Sequence, residues 1–185
     1  RSPSRGLGDV YKRQVYNMVR RYRRLRRGNR DKYAIENTCS VTPNLNDWTE
    51  IEAGESTQLS KQYRFTCVPS TTIEGMRKVK HLTLSFSSTA DNRIFYALVY
   101  VPSGYEPNPI NVPSTGAAVS LYDPNQYVMA SGVLDFTGGP LRIRTPLSRN
   151  LNSGDSIALV LASNNAATSG SSAVSINVQY AITLQ

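Results

Sequence analysis

The chain has little of what enzyme sites are usually built from. Its 185 residues include one histidine, His81, two cysteines, Cys39 and Cys67, and one tryptophan, Trp48. One histidine and two distant cysteines cannot make a zinc site by themselves. Two cysteines imply no disulfide framework, so both read as small buried hydrophobes. No Gly-x-Ser-x-Gly elbow follows a strand-like run, no phosphate-binding P-loop occurs, and the carboxylates are scattered. His81 sits in an alternating stretch and reads as structural, and Trp48 as a core or interface anchor. These absences predict a protein that is not an enzyme and needs no cofactor or metal. Long apolar runs are also missing. The longest, such as Ile94 to Val101, are strand-sized, far short of the roughly 18 residues of a membrane span. No apolar N-terminal segment reads as a signal peptide, and there is no Asn-x-Ser/Thr acceptor. We therefore expect a protein made inside a cell, with no membrane partner.

Positive charge is what the chain has in excess, and it is concentrated. Arg20, Arg21, Arg23, Arg24, Arg26, Arg27, Arg30 and Lys32 fall within thirteen positions, where Asp31 is the only acid. From Tyr33 to Gln185 there are nine lysines and arginines against eleven acids, a net of -2. A like-charged run this dense repels itself and cannot bury a core. If helical, its arginines would cover every side, leaving no apolar face to dock. Only Tyr22 and Leu25 interrupt it, too few for a membrane-surface helix. We read residues 15–33 as an arm, disordered when free, that holds nucleic acid. Arginine forks onto phosphate with two hydrogen bonds, and Tyr22 can stack on a base. The same cluster can serve as a nuclear-import signal.

Residues 1–14 stand apart. Ser4 to Gln14 resembles one reading frame of a sequencing-library adapter, so we read this segment as an artefact and Met18 as the natural start.

Beyond Tyr33 the pattern is β. A short strand is expected around Ile35 to Val41, then a turn at Thr42-Pro43-Asn44. Tyr63, Phe65 and Cys67 alternate with polar neighbours, as do Leu82, Leu84 and Phe86. Six apolar residues from Val174 to Leu184 keep strict period two. Further strands are expected over Tyr127 to Leu134 and Leu141 to Thr145. Ile94 to Val101 and Ile157 to Ala162 are apolar on both faces, so each needs two covers: the core and something else, such as a neighbouring subunit. About eight short strands with no long helix point to a sandwich or barrel. The connection 102–126 carries five prolines, which predicts a surface excursion rather than a strand. Ser163 to Ser172 reads as a second loop. Arg142 and Arg144 leave one strand on one face, with Arg149 in the loop that follows, a candidate secondary basic patch. Tyr96, Tyr100, Tyr105 and Tyr122 would suit a ligand cleft if the chain were instead a lectin-like binding module.

The stretch Leu121-Tyr122-Asp123-Pro124-Asn125-Gln126-Tyr127-Val128-Met129-Ala130-Ser131-Gly132, continued by Gly139-Pro140-Leu141-Arg142-Ile143-Arg144-Thr145-Pro146-Leu147-Ser148-Arg149-Asn150-Leu151-Asn152-Ser153-Gly154-Asp155, resembles capsid proteins of small circular single-stranded DNA viruses that encode a rolling-circle replication initiator. Ser172 to Val178 is similar in texture to nanovirus-type coat proteins. The resemblance covers most of Tyr33 to Gln185. It implies an all-β body over residues 34–185, a single jelly roll of about eight strands. It also implies an icosahedral virion of many copies of the chain, with the arm inside on viral single-stranded DNA. A stage in the host nucleus, reached with a host import receptor, is implied as well. The coat protein of a small RNA virus would share this fold and this kind of arm.

Overall fold

The computed structural model describes residues 34–43, 48–52, 59–88, 93–112, 120–163 and 173–184. The chain divides at Tyr33 into two units. The first, with the adapter-like segment and the arginine arm, lies outside the described residues, as do the 164–172 loop and the side chain of Cys39.

Among the described residues ten strands follow one another: β1 (Ala34–Val41), β2 (Thr49–Glu52), β3 (Leu59–Val68), β4 (Arg77–Ser88), β5 (Ile94–Val101), β6 (Val128–Leu134), β7 (Leu141–Arg144), β8 (Arg149–Leu151), β9 (Ser156–Ser163) and β10 (Val174–Leu184). Asn125–Tyr127 forms a 3₁₀ turn, so Tyr127 precedes its strand instead of opening it. The strands make two sheets, one in the order β1-β10-β4-β7 with β8 also on β4, the other β2-β3-β9-β5-β6. Every pairing is antiparallel.

The pairs nest. β5 pairs with β6, β4 with β7 and β8, β3 with β9, and β1 with β10. A single long hairpin, with its bend between β5 and β6 and rolled so that its layers form two sheets, gives this order. That is a jelly roll. The expected count of eight is met because β7 and β8 lie end to end along β4 and share one strand's place, with β2 added at an edge. Arg149, expected in a loop, is therefore in a strand.

The interior follows from the period-two pattern. Val174, Ile176, Val178 and Tyr180 point inward, as do Leu82, Leu84 and Phe86. Trp48 is buried and stacks on Tyr63 at 6.0 Å, so it serves the core. Cys67 is fully buried, and burial pushes its thiol far above the usual range. Truncating a buried leucine or phenylalanine here would cost about 2–5 kcal/mol.

The doubly apolar strands receive their second cover from within the chain. A separate cluster lies on the outer side of β5 and β9, where Ala97, Val99, Ala158 and Val160 meet Ile110, Val112 and Tyr122. The last three belong to the excursion between β5 and β6. A neighbouring subunit is thus not needed to cover these strands. Gln62, 2% exposed, ties the excursion down. Its Nε2 donates to the Ile110 carbonyl at 2.9 Å, and its Oε1 accepts from the Ile110 N–H at 2.9 Å. At the root of the excursion the buried Asp155 carboxylate accepts from Tyr100 Oη (2.8 Å), Ser103 N (3.0 Å) and Asn152 N (2.8 Å).

Candidate nucleic-acid interface

The outer face of the β1-β10-β4-β7 sheet collects basic side chains, and a local irregularity sets how. Along β4 the inward residues are Arg77 and Val79, then Leu82, Leu84 and Phe86, so the phase slips by one position between Val79 and Leu82. The extra residue is His81, at φ 55. The pairing with β10 shifts at the same place, with Gln179 opposite Thr83 but Ala181 opposite Lys80. This is a β-bulge, which re-aims side chains and strengthens local twist. It lies opposite the break between β7 and β8, where Pro146 interrupts the strand.

Residues directly paired across strands share a face. Arg144 pairs with Thr83 and Arg142 with Ser85, and both arginines are exposed. Lys80 and Lys78 lie on the same outer face beyond the bulge, opposite Ala181 and Thr183. Four cations thus share one sheet face. The acid nearest in the strand pattern, Glu36, instead accepts a hydrogen bond from Tyr180 Oη at 2.9 Å, on the inward set. Among the described strand residues of this sheet no carboxylate lies on the outer face.

His81 Nδ1 lies 3.3 Å from Arg144 Nη2. A hollow of about 270 Å³ opens beside them, with Thr83, Gln179, Arg142 and Arg144 in its walls. Two guanidiniums with a hydroxyl and an amide make a set of donors for anionic oxygens. Residues two apart on a strand are about 6.6 Å apart, so Arg142 and Arg144 can each take a separate phosphate. The histidine beside this hollow faces Arg144, and among the described residues there is no cluster of metal-ligating side chains.

The basic residues expected from sequence do not all meet. Arg142 and Arg144 come together with His81. Arg149 pairs with the inward-facing Val79, and its guanidinium lies 5.7 Å over the Tyr100 ring, with Nη2 donating to the Gln126 carbonyl at 3.3 Å. Arg20, Arg21, Tyr22, Arg23, Arg24, Arg26, Arg27, Arg30 and Lys32 lie outside the described residues. Sequence reading missed Lys78, Lys80, His81 and Gln179 as members of this face. The slip from Val79 to Leu82 was the available signal, since it places His81 out of phase and sends Lys80 to the same side as Thr83.

No protein-family model matches the chain, and no curated protein matches it by sequence. Several solved structures do. The chain is 15% identical to a chain of a heated full particle of Israeli acute paralysis virus, covering 83% of this chain and 74% of that one, with a TM-score of 0.36. It is 13% identical to a chain of Desmodium yellow mottle tymovirus, covering 85% and 90%, with a TM-score of 0.34. It is 12% identical to a carbohydrate-binding module in complex with calcium and xylotriose, covering 84% and 95%, with a TM-score of 0.22. Likeness at this level carries no argument about function. The jelly roll rests on the nested strand pairs themselves.

Proposed function

We propose that the chain is a viral capsid subunit that assembles into a closed shell and packages single-stranded DNA on its arginine arm. The observation that carries this reading is the union of two parts: a jelly-roll body of net charge -2 and a preceding run of eight basic residues within thirteen positions. The resemblance of residues 121–155 to capsid proteins of small circular DNA viruses supports DNA as the cargo. The arm neutralises phosphates and releases counterions without reading sequence. The outer sheet face bearing Arg142 and Arg144 adds a second, shorter contact, while Arg149 serves the fold. The basic run also serves as the signal for a host import receptor, and residues 1–14 take no part, so a chain starting at Met18 assembles like the full one.

Electron microscopy and nuclease protection of the expressed full chain test this. Closed shells should form, and nucleic acid released from particles made in infected cells should be DNase-sensitive. RNase-sensitive cargo would transfer the reading to an RNA virus, and a protein that neither assembles nor binds nucleic acid would end the capsid reading. Titrations of single-stranded DNA with unassembled protein read the arm. If about six of its eight cations engage, the log-log salt slope is roughly -4. Replacing Arg23, Arg24, Arg26 and Arg27 by alanine should make it shallower by roughly 3, and replacing Arg142 and Arg144 by roughly 1.4.

A further inference from the structure

A second cavity, of about 350 Å³, lies at the root of the excursion between β5 and β6. Tyr100, Tyr105, Tyr122 and Tyr127 line it, four of the chain's eleven tyrosines. The volume is within the range of small-molecule sites. The capsid reading gives these residues no task.

Three of the tyrosines are held in place. Tyr100 donates its hydroxyl to Asp155 Oδ2 at 2.8 Å, and the Tyr122 hydroxyl accepts from Asn108 N at 2.7 Å. Asn108 Nδ2 donates to the Asp123 carbonyl at 2.8 Å, which locks one wall. Tyr127 packs edge-on against Tyr100 at 5.9 Å. Tyr105 is 74% exposed, on a turn closed by its own N–H to the Pro102 carbonyl at 3.1 Å. Gly104 sits at φ +82 in that turn, a conformation that favours glycine. Glu106, Asn108 and Gln126 add polar side chains, and the described lining residues include no lysine or arginine.

We infer that this cleft binds the neutral pyranose ring of a saccharide. A sugar presents apolar C–H faces, which pack on aromatic rings, and hydroxyls, which pair with amide and carboxylate side chains. The cleft offers both together, and its walls are fixed before binding, which lowers the ordering cost. An anionic ligand would meet Glu106, and two nearby cations are already engaged: Arg64 pairs with Glu106 at 3.6 Å, and Arg149 lies over the Tyr100 ring with Nη2 on the Gln126 carbonyl. Proline-rich peptides also dock on aromatic-lined grooves. Their carbonyls only accept hydrogen bonds, and here the Tyr100 hydroxyl is donated to Asp155 and Asn108 Nδ2 to the Asp123 carbonyl. Such carbonyls would also bring Glu106 no donor, which a sugar hydroxyl supplies. This inference goes beyond the capsid reading and does not depend on it.

Saturation-transfer NMR of the full chain with the methyl glycosides of glucose, galactose, mannose and N-acetylglucosamine tests it. At least one glycoside should receive magnetisation on its C–H protons, and raising the salt should not change this. Tyr105→Ala, at an exposed position, should weaken binding by roughly threefold to tenfold. The Arg142→Ala variant should bind like the wild type. The inference is overturned if none of these glycosides receives magnetisation at millimolar concentration, or if the signal survives Tyr105→Ala unchanged. Displacement of the glycoside by decaproline would overturn it too, assigning the groove to peptide.

Discussion

Replacing Gln62 with leucine should loosen the excursion while leaving the two sheets paired. Gln62 satisfies both peptide groups of Ile110, a residue with no exposed surface. Leucine keeps much of the volume but strands one buried N–H and one buried carbonyl, each at a cost of about 1–3 kcal/mol. The sum is about 2–6 kcal/mol. For a chain of this size each kcal/mol shifts the melting temperature by about 2–4 °C, so Tm should fall by roughly 4–24 °C. The Ile110 amide should also exchange faster with solvent than amides of β9 or β10, because the opening is local. Gln62→Glu separates hydrogen bonding from packing. Its ionised carboxylate can still accept from the Ile110 N–H but cannot donate to the Ile110 carbonyl, whereas its protonated form can do both. Burial beside that carbonyl raises its folded pKa above the unfolded value of about 4.3. The folded state then binds more protons between those two values, so this variant should lose stability as pH rises through that window and keep it below. A leucine variant melting within about 1 °C of wild type, with Ile110 protection unchanged, would refute the claim that this pair holds the excursion.

Gly154 sits at φ +85, and a Cβ there would run into the Ser103 side chain, so Gly154→Ala should destabilise by about 1–3 kcal/mol in a denaturant melt. Tyr100 and Tyr180 are both pushed up to about 12, chiefly by burial and then by their hydrogen bonds to Asp155 and Glu36. Their raised folded values favour the folded state fully below about pH 10, and that contribution is lost as pH rises toward 12. Tyr100→Phe and Tyr180→Phe should each flatten the alkaline fall in stability, and each should remove one late tyrosinate from the ultraviolet titration near pH 12. Cys67 is fully buried with a raised thiol pKa, so iodoacetamide at neutral pH should leave it unlabelled until the chain is unfolded, as mass spectrometry of its peptide would show.

Much of the fold was legible because strands facing one core advertise themselves by period two. Val174 to Leu184 was readable as a strand for that reason, and it proved to join β1 to β4 across the sheet. The extra strand β8 after the expected Leu141 to Thr145, and the slip at His81, were harder to see. Both are departures from the pattern, and each makes sense only beside the other across a pairing of residues 55 to 74 positions apart. The basic face shows the same limit. Arg142 and Arg144 could be placed on one face from their spacing. Whether Arg149 joined them depended on which strand it paired with, and pairing with Val79 turned it toward Tyr100.

By itself the sequence determined the all-β class, the placing of all excess positive charge before Tyr33 and the double apolarity of β5 and β9. These are properties of composition and local period, and they need no partner to be defined. The tertiary structure decided what covers the second face of β5 and β9, where Arg149 points and which tyrosines share a cleft. Each of those answers depends on contacts between residues far apart in the chain. Ile110 lies over strands on either side of it in sequence because Gln62 holds it there, and no local pattern in either segment records that bond.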